Sequence, residues 1–224
     1  SIFNWTYADE QERKAAWDYD IDDVNPYEEL PQMNLFTYRL TDIFKKPTDM
    51  DVADVDKYFD LNEFFECNGR AFTNNDDVDL FLNTFANDPR YPFANKEFDG
   101  LINHSLWLLD RVNSAKALAR KLKEHPKFSQ YKVIIAAGDG KIDDAEKVDK
   151  SFNEVVDAIA KYEKTITLSV GQLTTGVTIP EWSAVFMLCN VKSPSLYIQA
   201  TFRAQNPCKT RLGDGSYIQK DNAY

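Results

Sequence analysis

HSLWLLDRVNSAKALARKL, residues 104–122, decides the fold class. HSLWLLD is a continuous apolar run closed by Asp110, and the segment after it places Ala115, Leu118, Ala119 and Leu122 at spacings of three and four, one face of a helix. The unit therefore reads as strand, polar loop, helix. It recurs downstream: YKVIIAAG (131–138) is a second strand, DKSFNEVVDAIAKYEK (149–164) a second helix, TITLSVG (165–171) a third strand and SAVFMLCNV (183–191) a fourth. Strands apolar on both faces that alternate with helices of ten or more residues predict a parallel sheet covered on both sides, an α/β fold.

The rest of the chain sets bounds on that core. With 224 residues and 43% apolar side chains it is long enough for one large domain, or for one domain with a sizeable appendage. No run of eighteen apolar residues occurs, and SIFNWTYADEQERK lacks the basic-then-apolar layout of a signal peptide, so a cytoplasmic protein without a membrane partner is expected. Three widely spaced cysteines and two histidines suggest neither a disulfide framework nor a zinc site. The net charge of −10 argues against a general nucleic-acid binder. That charge is uneven: residues 1–103 hold 9 Lys/Arg against 23 Asp/Glu, residues 104–224 hold 17 against 13. Acidic runs such as DYDIDD (18–23) and DMDVADVD (49–56) read as solvated surface, and an anion is better received by the second half.

Residues 1–34 carry aromatics, acids and prolines without sustained periodicity, and the two prolines of NPYEELPQMN suit an extended approach segment. LFTYRL (35–40) reads as a short strand. Residues 41–103 read as an irregular helical insertion packed on the sheet. Its clearest helix is DDVDLFLNTFAND (76–88), with Val78, Leu82 and Phe85 on one face and Asn74 or Asn75 as cap.

Ligands of open parallel sheets collect outside the carboxyl ends of the strands. After the first strand comes Asp110-Arg111-Val112-Asn113-Ser114, where helix-start amides favour a phosphate, or where Asn113 or Ser114 simply caps the helix. GDGKIDD (138–144) lacks the spacing of a phosphate loop and reads as a turn at Gly138 and Gly140. In SVGQLTTGVTIPEW (169–182), Gly171, Gly176 and the hydroxyls of Thr174, Thr175 and Thr178 suit a phosphate or sugar; a structural turn explains the glycines nearly as well. Finally SPSLYIQATFRAQNP (193–207) predicts a helix from near Ser195 that puts Gln199 and Arg203 on one face. Arg203 stands among apolar and neutral polar neighbours, whereas an arginine that only faces solvent usually travels with other charges.

TTGVTIPEWSAVFML followed by YIQATFRAQNP resembles motifs V and VI of the superfamily 2 helicases and translocases, and HSLWLLDRVNSAKALARKL resembles motif IV at the right distance before them. The detail, GVTIPEW and the FRAQNP ending above all, is most similar to motor subunits of type III and type I restriction enzymes. The resemblance implies the second (C-terminal) RecA-like motor domain over residues 104–224, preceded by an interdomain connection (1–34) and by the first strand with its acidic insertion (35–103). It implies an ATP-dependent DNA helicase or translocase, with RNA left open as a partner and a nuclease or methyltransferase attached to the same machine. By position, Arg203 matches the first arginine of motif VI, which faces the γ-phosphate, and Gln199 opens that motif. Gly176 and Thr178 match motif V positions near the nucleotide, and Arg111, Asn113, Ser114, Ser169, Gly171 and Thr175 lie where relatives track the nucleic-acid backbone. The second motif VI arginine of many relatives is Asn206 here.

No Walker A lysine and no DExx-type magnesium pair in suitable context occur in the chain. DIDD at 20–23 has the letters but follows no apolar strand. The resemblance therefore implies a fragment, inert alone, whose ATP and magnesium are held mainly by an upstream RecA-like domain of the same polypeptide. KDNAY at the end looks like a chain cut just before another strand. The rival expectation is a helicase-derived binding domain without nucleotide chemistry, in which the acidic insertion docks a partner protein.

Overall fold

The structure, a computed structural model, describes residues 6–18, 24–38, 43–44, 60–137, 145–171, 177–211 and 214–224. Its centre is a parallel sheet of four strands, β4 (His104–Leu108), β5 (Lys132–Ala137), β6 (Thr165–Val170) and β7 (Ala184–Met187), in the spatial order β5-β6-β4-β7. The strands are the four apolar runs expected from the sequence, and the α/β class stands.

Alternation along the strands sorts the core into two layers. Leu106 and Leu108 of β4 and Ile134 of β5 pack with Val155 and Ala158 of the helix Ala145–Lys161 and with Ala200 of the helix Pro194–Thr201. Trp107 and Val133 face the other way, with Leu118 and Leu122 of the helix Val112–Glu124. Helices thus cover both faces, so that even the hydroxyl side chains Ser105, Thr165, Thr167 and Ser169 of β4 and β6 are buried. In chain order the helices are α1 (Tyr7–Ala15), α2 (Leu61–Phe64), α3 (Asn75–Asn87), α4 (Val112–Glu124), α5 (Ala145–Lys161) and α6 (Pro194–Thr201).

The acid-rich first half is built into this core. Val78, Phe81, Leu82 and Phe85 of α3 are buried in the same cluster as Trp107. Trp107 is fully buried, with its ring centroid 5.8 Å from Phe85, 5.7 Å from Phe93 and Phe128, and 5.4 Å from Phe186. Its indole N–H donates to Ser105 Oγ at 2.9 Å. A short antiparallel hairpin, β2 (Cys67–Asn68) with β3 (Ala71–Phe72), precedes α3. Asn74 occupies the N-cap position of α3 without a side-chain capping bond, donating instead to the Glu63 carbonyl at 3.4 Å.

Three expectations are corrected. Residues 35–38 form no strand; the strand is β1 (Gln32–Met33), paired in parallel with β10 (Asn222–Ala223). After Asn34 donates its N–H to Ala223 O, the aromatics of this stretch turn onto other rings, Phe36 against Phe98 at 5.4 Å and Tyr38 against Tyr91 at 5.1 Å. Residues 39–42 lie outside the described residues, apart from which only 43–44 are described before Asp60. The closing KDNAY, expected to stop before a strand, itself runs extended beside the sheet: Tyr224 N–H donates to Ser183 O and Tyr224 O accepts from Val185 N–H. β1 and β10 form a separate two-stranded pair, and Tyr224 ties it to the β7 side of the central sheet. Third, neither Asn113 nor Ser114 caps α4; Arg111 is the N-cap residue, without a side-chain capping bond.

A second antiparallel hairpin, β8 (Lys209–Arg211) with β9 (Tyr217–Gln219), joins the α6 region to β10. All three cysteines are free thiols. Among the described residues no helix is long and apolar enough to cross a membrane, and no group of three or more His, Cys, Asp and Glu gathers in a metal-binding arrangement.

Candidate functional site

The parallel register brings several predicted positions to one end of the sheet. Leu108 of β4 is paired with Ser169 of β6 and with Met187 of β7, so Arg111, Gly171 and the 188–193 segment all follow directly from the carboxyl ends of adjacent strands. Gly171 has φ +67, the left-handed region that glycine adopts without strain; no atom lies within 4 Å of a Cβ added there, so conformation rather than space favours glycine.

The insertion reaches this same end. Arg111 Nη1 lies 2.7 Å from Glu66 Oε1, and its Nε 3.5 Å from Asp110 Oδ2, with both sides of the Glu66 pair about half exposed. The neighbouring carboxylates, Glu66 foremost, raise the guanidinium pKa. Asn190 N–H donates to Asn62 Oδ1 at 3.0 Å, and Ser114 Oγ donates to Phe65 O at 2.5 Å. Asp60 caps α2, accepting from Asn62 N–H at 2.7 Å, and so fixes the residues that make these contacts.

Exposure divides the predicted nucleic-acid contacts. Arg111, Asn113 and Gly171 are exposed. Ser114 and Ser169 are buried, the first with its hydroxyl already spent on Phe65 O, so both face protein rather than a passing strand. Thr175 and Gly176 lie outside the described residues, as do the GDGKIDD segment and DIDD. Thr178 is exposed.

At the other predicted position, α6 begins with Pro194 behind a Ser193 cap that accepts from Leu196 N–H, a favoured pairing at a helix start. The α-helix ends at Thr201, and a 3-10 turn, Phe202–Ala204, carries Arg203. Gln199 and Arg203 therefore stand on a helix and on a tighter turn, not on one regular face. Gln199 is exposed and donates to Ser195 Oγ at 3.4 Å. Arg203 is half-buried, and burial lowers its guanidinium pKa, although the group remains a cation. Its Nη1 donates to the backbone carbonyl of Val177. Asn206 donates from Nδ2 to Arg203 O at 3.1 Å and so closes the turn.

Two participants escaped sequence reasoning. Gln205 is only 7% exposed and donates from Nε2 to Glu10 Oε1 at 3.3 Å and to Pro31 O at 3.4 Å. Glu66 holds Arg111. Neither has a local signature, since Gln205 is one amide in FRAQNP and Glu66 one acid in an acid-rich half.

No family model matches the chain. It is 28% identical, over a 253-residue alignment spanning 100% of this chain, to a Mycoplasma pneumoniae protein named "putative type II restriction enzyme and methyltransferase", C-terminus. The chain spans about a third (34%) of the length of that curated relative. Among solved structures, the C-terminal part of the Fun30 ATPase domain aligns with a TM-score of 0.36 and 18% identity, over 63% of this chain and 39% of that one.

Proposed function

We propose that this chain is the C-terminal, RecA-like motor half of an ATP-dependent DNA helicase or translocase related to restriction enzymes. The observation that carries the reading is the junction of Arg203 with Val177, which ties the motif VI turn to the motif V loop. ATP hydrolysis spreads negative charge over the transferred γ-phosphoryl group, and a preorganised guanidinium stabilises that charge. A guanidinium carries its five N–H donors in one rigid plane, so a bond that holds one of them on Val177 orients the whole fork. Arg203 is then the arginine finger, and Gln199 and Thr178, both exposed, together with Gly176, which precedes Val177 in sequence, are the other residues assigned to the nucleotide. These residues fit one edge of a nucleotide; the phosphate cradle and magnesium ligands belong to an upstream domain.

Arg111, Asn113 and Gly171 form the exposed part of a backbone track at the carboxyl ends of β4 and β6, with Thr175 following Gly171 in sequence. The likeness to a protein named as a restriction enzyme and methyltransferase supports DNA as the partner and a modification or cleavage activity in the same assembly. The test is ATP turnover by the full-length protein with and without DNA. DNA-stimulated turnover is expected; a full-length protein that hydrolyses no ATP in either condition contradicts the motor and favours a binding domain.

A further inference from the structure

Gln205 follows Arg203 by two residues, and its side chain leaves the turn in the direction of the N-terminal segment. Its two bonds, to Glu10 and to Pro31 O, bridge separations of 195 and 174 residues. A buried amide deprived of its partners suffers the full cost of desolvation, so this pair of bonds strongly selects the turn geometry that makes them.

The partners are themselves held. α1 starts with a reciprocal capping box, the Thr6 hydroxyl accepting from Asp9 N–H while Asp9 accepts from Thr6 N–H. Lys14 Nζ donates to Leu30 O at 2.7 Å, and Tyr7 Oη accepts from Met33 N–H at 2.7 Å, which locks α1 to the strand approach. The Tyr7 ring also meets Phe202 edge-on, with centroids 6.3 Å apart. Phe202 is the residue before Arg203 and Gln205 the second after it, so both flanks of the arginine are anchored on residues 7–33.

We propose that Gln205 is a positioning residue for Arg203, and that α1 with the 30–33 strand approach is the arm that sets the finger's orientation. The proposal rests on the motor reading above. An arm of this kind makes the finger sensitive to any displacement of the N-terminal segment, and misplacement of a catalytic group by about 1 Å costs on the order of a hundredfold in rate.

The experiment exchanges the pair in the full-length protein. Gln205→Glu sets a carboxylate against both Glu10 and Pro31 O; the double variant Glu10→Gln/Gln205→Glu restores one donor facing one acceptor at the 10–205 pair and leaves the Pro31 O bond unmade. ATP turnover, KM for ATP and thermal midpoint are measured for both, beside Gln205→Met and Arg203→Ala. The proposal expects kcat to fall about tenfold or more in Gln205→Glu with KM within about twofold, and to recover in part, by about threefold or more, in the double variant. A purely structural amide lowers the thermal midpoint without a rescue of kcat by the exchange, and that result overturns the proposal. Unchanged kcat in Gln205→Glu beside an impaired Arg203→Ala overturns it too, while leaving the finger intact. Should Gln205→Glu not fold, Gln205→Met decides: a folded variant with lowered kcat supports the proposal and an unchanged kcat overturns it. Full turnover by Arg203→Ala instead removes the motor reading beneath it, a distinguishable failure.

Discussion

Arg203 and Val177, 26 residues apart in sequence, are joined by a hydrogen bond from the guanidinium Nη1 to the backbone carbonyl. The bond makes the turn after α6 and the loop before β7 one mechanical unit. In stability terms the link is modest, because a hydrogen bond to a charged donor contributes about 1.5–3 kcal/mol at most and Arg203 is only half-buried. Arg203→Ala should therefore lower the thermal midpoint by no more than about 3–12 °C in a chain of this size, measured by calorimetry. A loss of cooperative unfolding would instead mark Arg203 as a core structural residue.

Glu66 competes with any phosphate for Arg111. Its removal by Glu66→Gln should tighten binding of single-stranded DNA about two- to fivefold at low salt and steepen the salt dependence by up to about one phosphate contact. Because both partners are about half exposed, stability should change by less than about 1 kcal/mol. Fluorescence anisotropy titrations at several salt concentrations check this; unchanged or weaker binding means that Arg111 does not meet the backbone.

Trp107 sits where the sheet, α4 and the acid-rich half converge. Trp107→Ala should cost about 3–5 kcal/mol, measured by denaturant unfolding, since it empties a ring-lined site and orphans the Ser105 partner. Tyr217→Ala, at a side chain 63% exposed on β9, should stay within about 0.5 kcal/mol of the parent. A small effect at Trp107 would show that the first half packs on the sheet only loosely.

Lys220 is the group to follow in alkaline solution. Its Nζ donates to Pro180 O at 2.5 Å and Trp182 O at 3.0 Å, while burial lowers its pKa from 10.5 to about 8, with Cys208 and Glu181 opposing. Below about pH 8 it is protonated in both folded and unfolded chains. Between there and 10.5 only the unfolded chain holds the proton, so this group's contribution to stability rises with pH and is lost as pH falls through about 8. Cys189, pushed up to about 11 by burial, acts with the opposite sign in the same region. The stability of the parent relative to Lys220→Met should accordingly rise from pH 8 to 10.5; a flat difference refutes the shift.

The parallel sheet was legible because each of its strands is an apolar run long enough to be seen and each is followed by a polar loop or helix. The two-residue strands β1, β2, β3 and β10 were not, since two residues carry no alternation. LFTYRL misled for the opposite reason: its apolar and aromatic letters mimic a strand, yet Phe36 and Tyr38 serve as ring contacts outside any ladder. Arg203 and Gln199 stood out through their neighbours and through the resemblance of YIQATFRAQNP to a known motif. Gln205 and Glu66 did not, because their partners lie 195 and 45 residues away and long-range pairing leaves no local trace.

The most direct test is ATP turnover of Arg203→Ala in the full-length protein, with thermal midpoint and nucleotide binding measured on the same preparation. A finger acts on the transition state, so turnover should fall on the order of a hundredfold or more while nucleotide binding and folding persist. Arg203→Lys should rescue little, because a point ammonium cannot reproduce the planar fork. Unchanged turnover in Arg203→Ala would contradict the account and leave the arginine as a structural link to Val177.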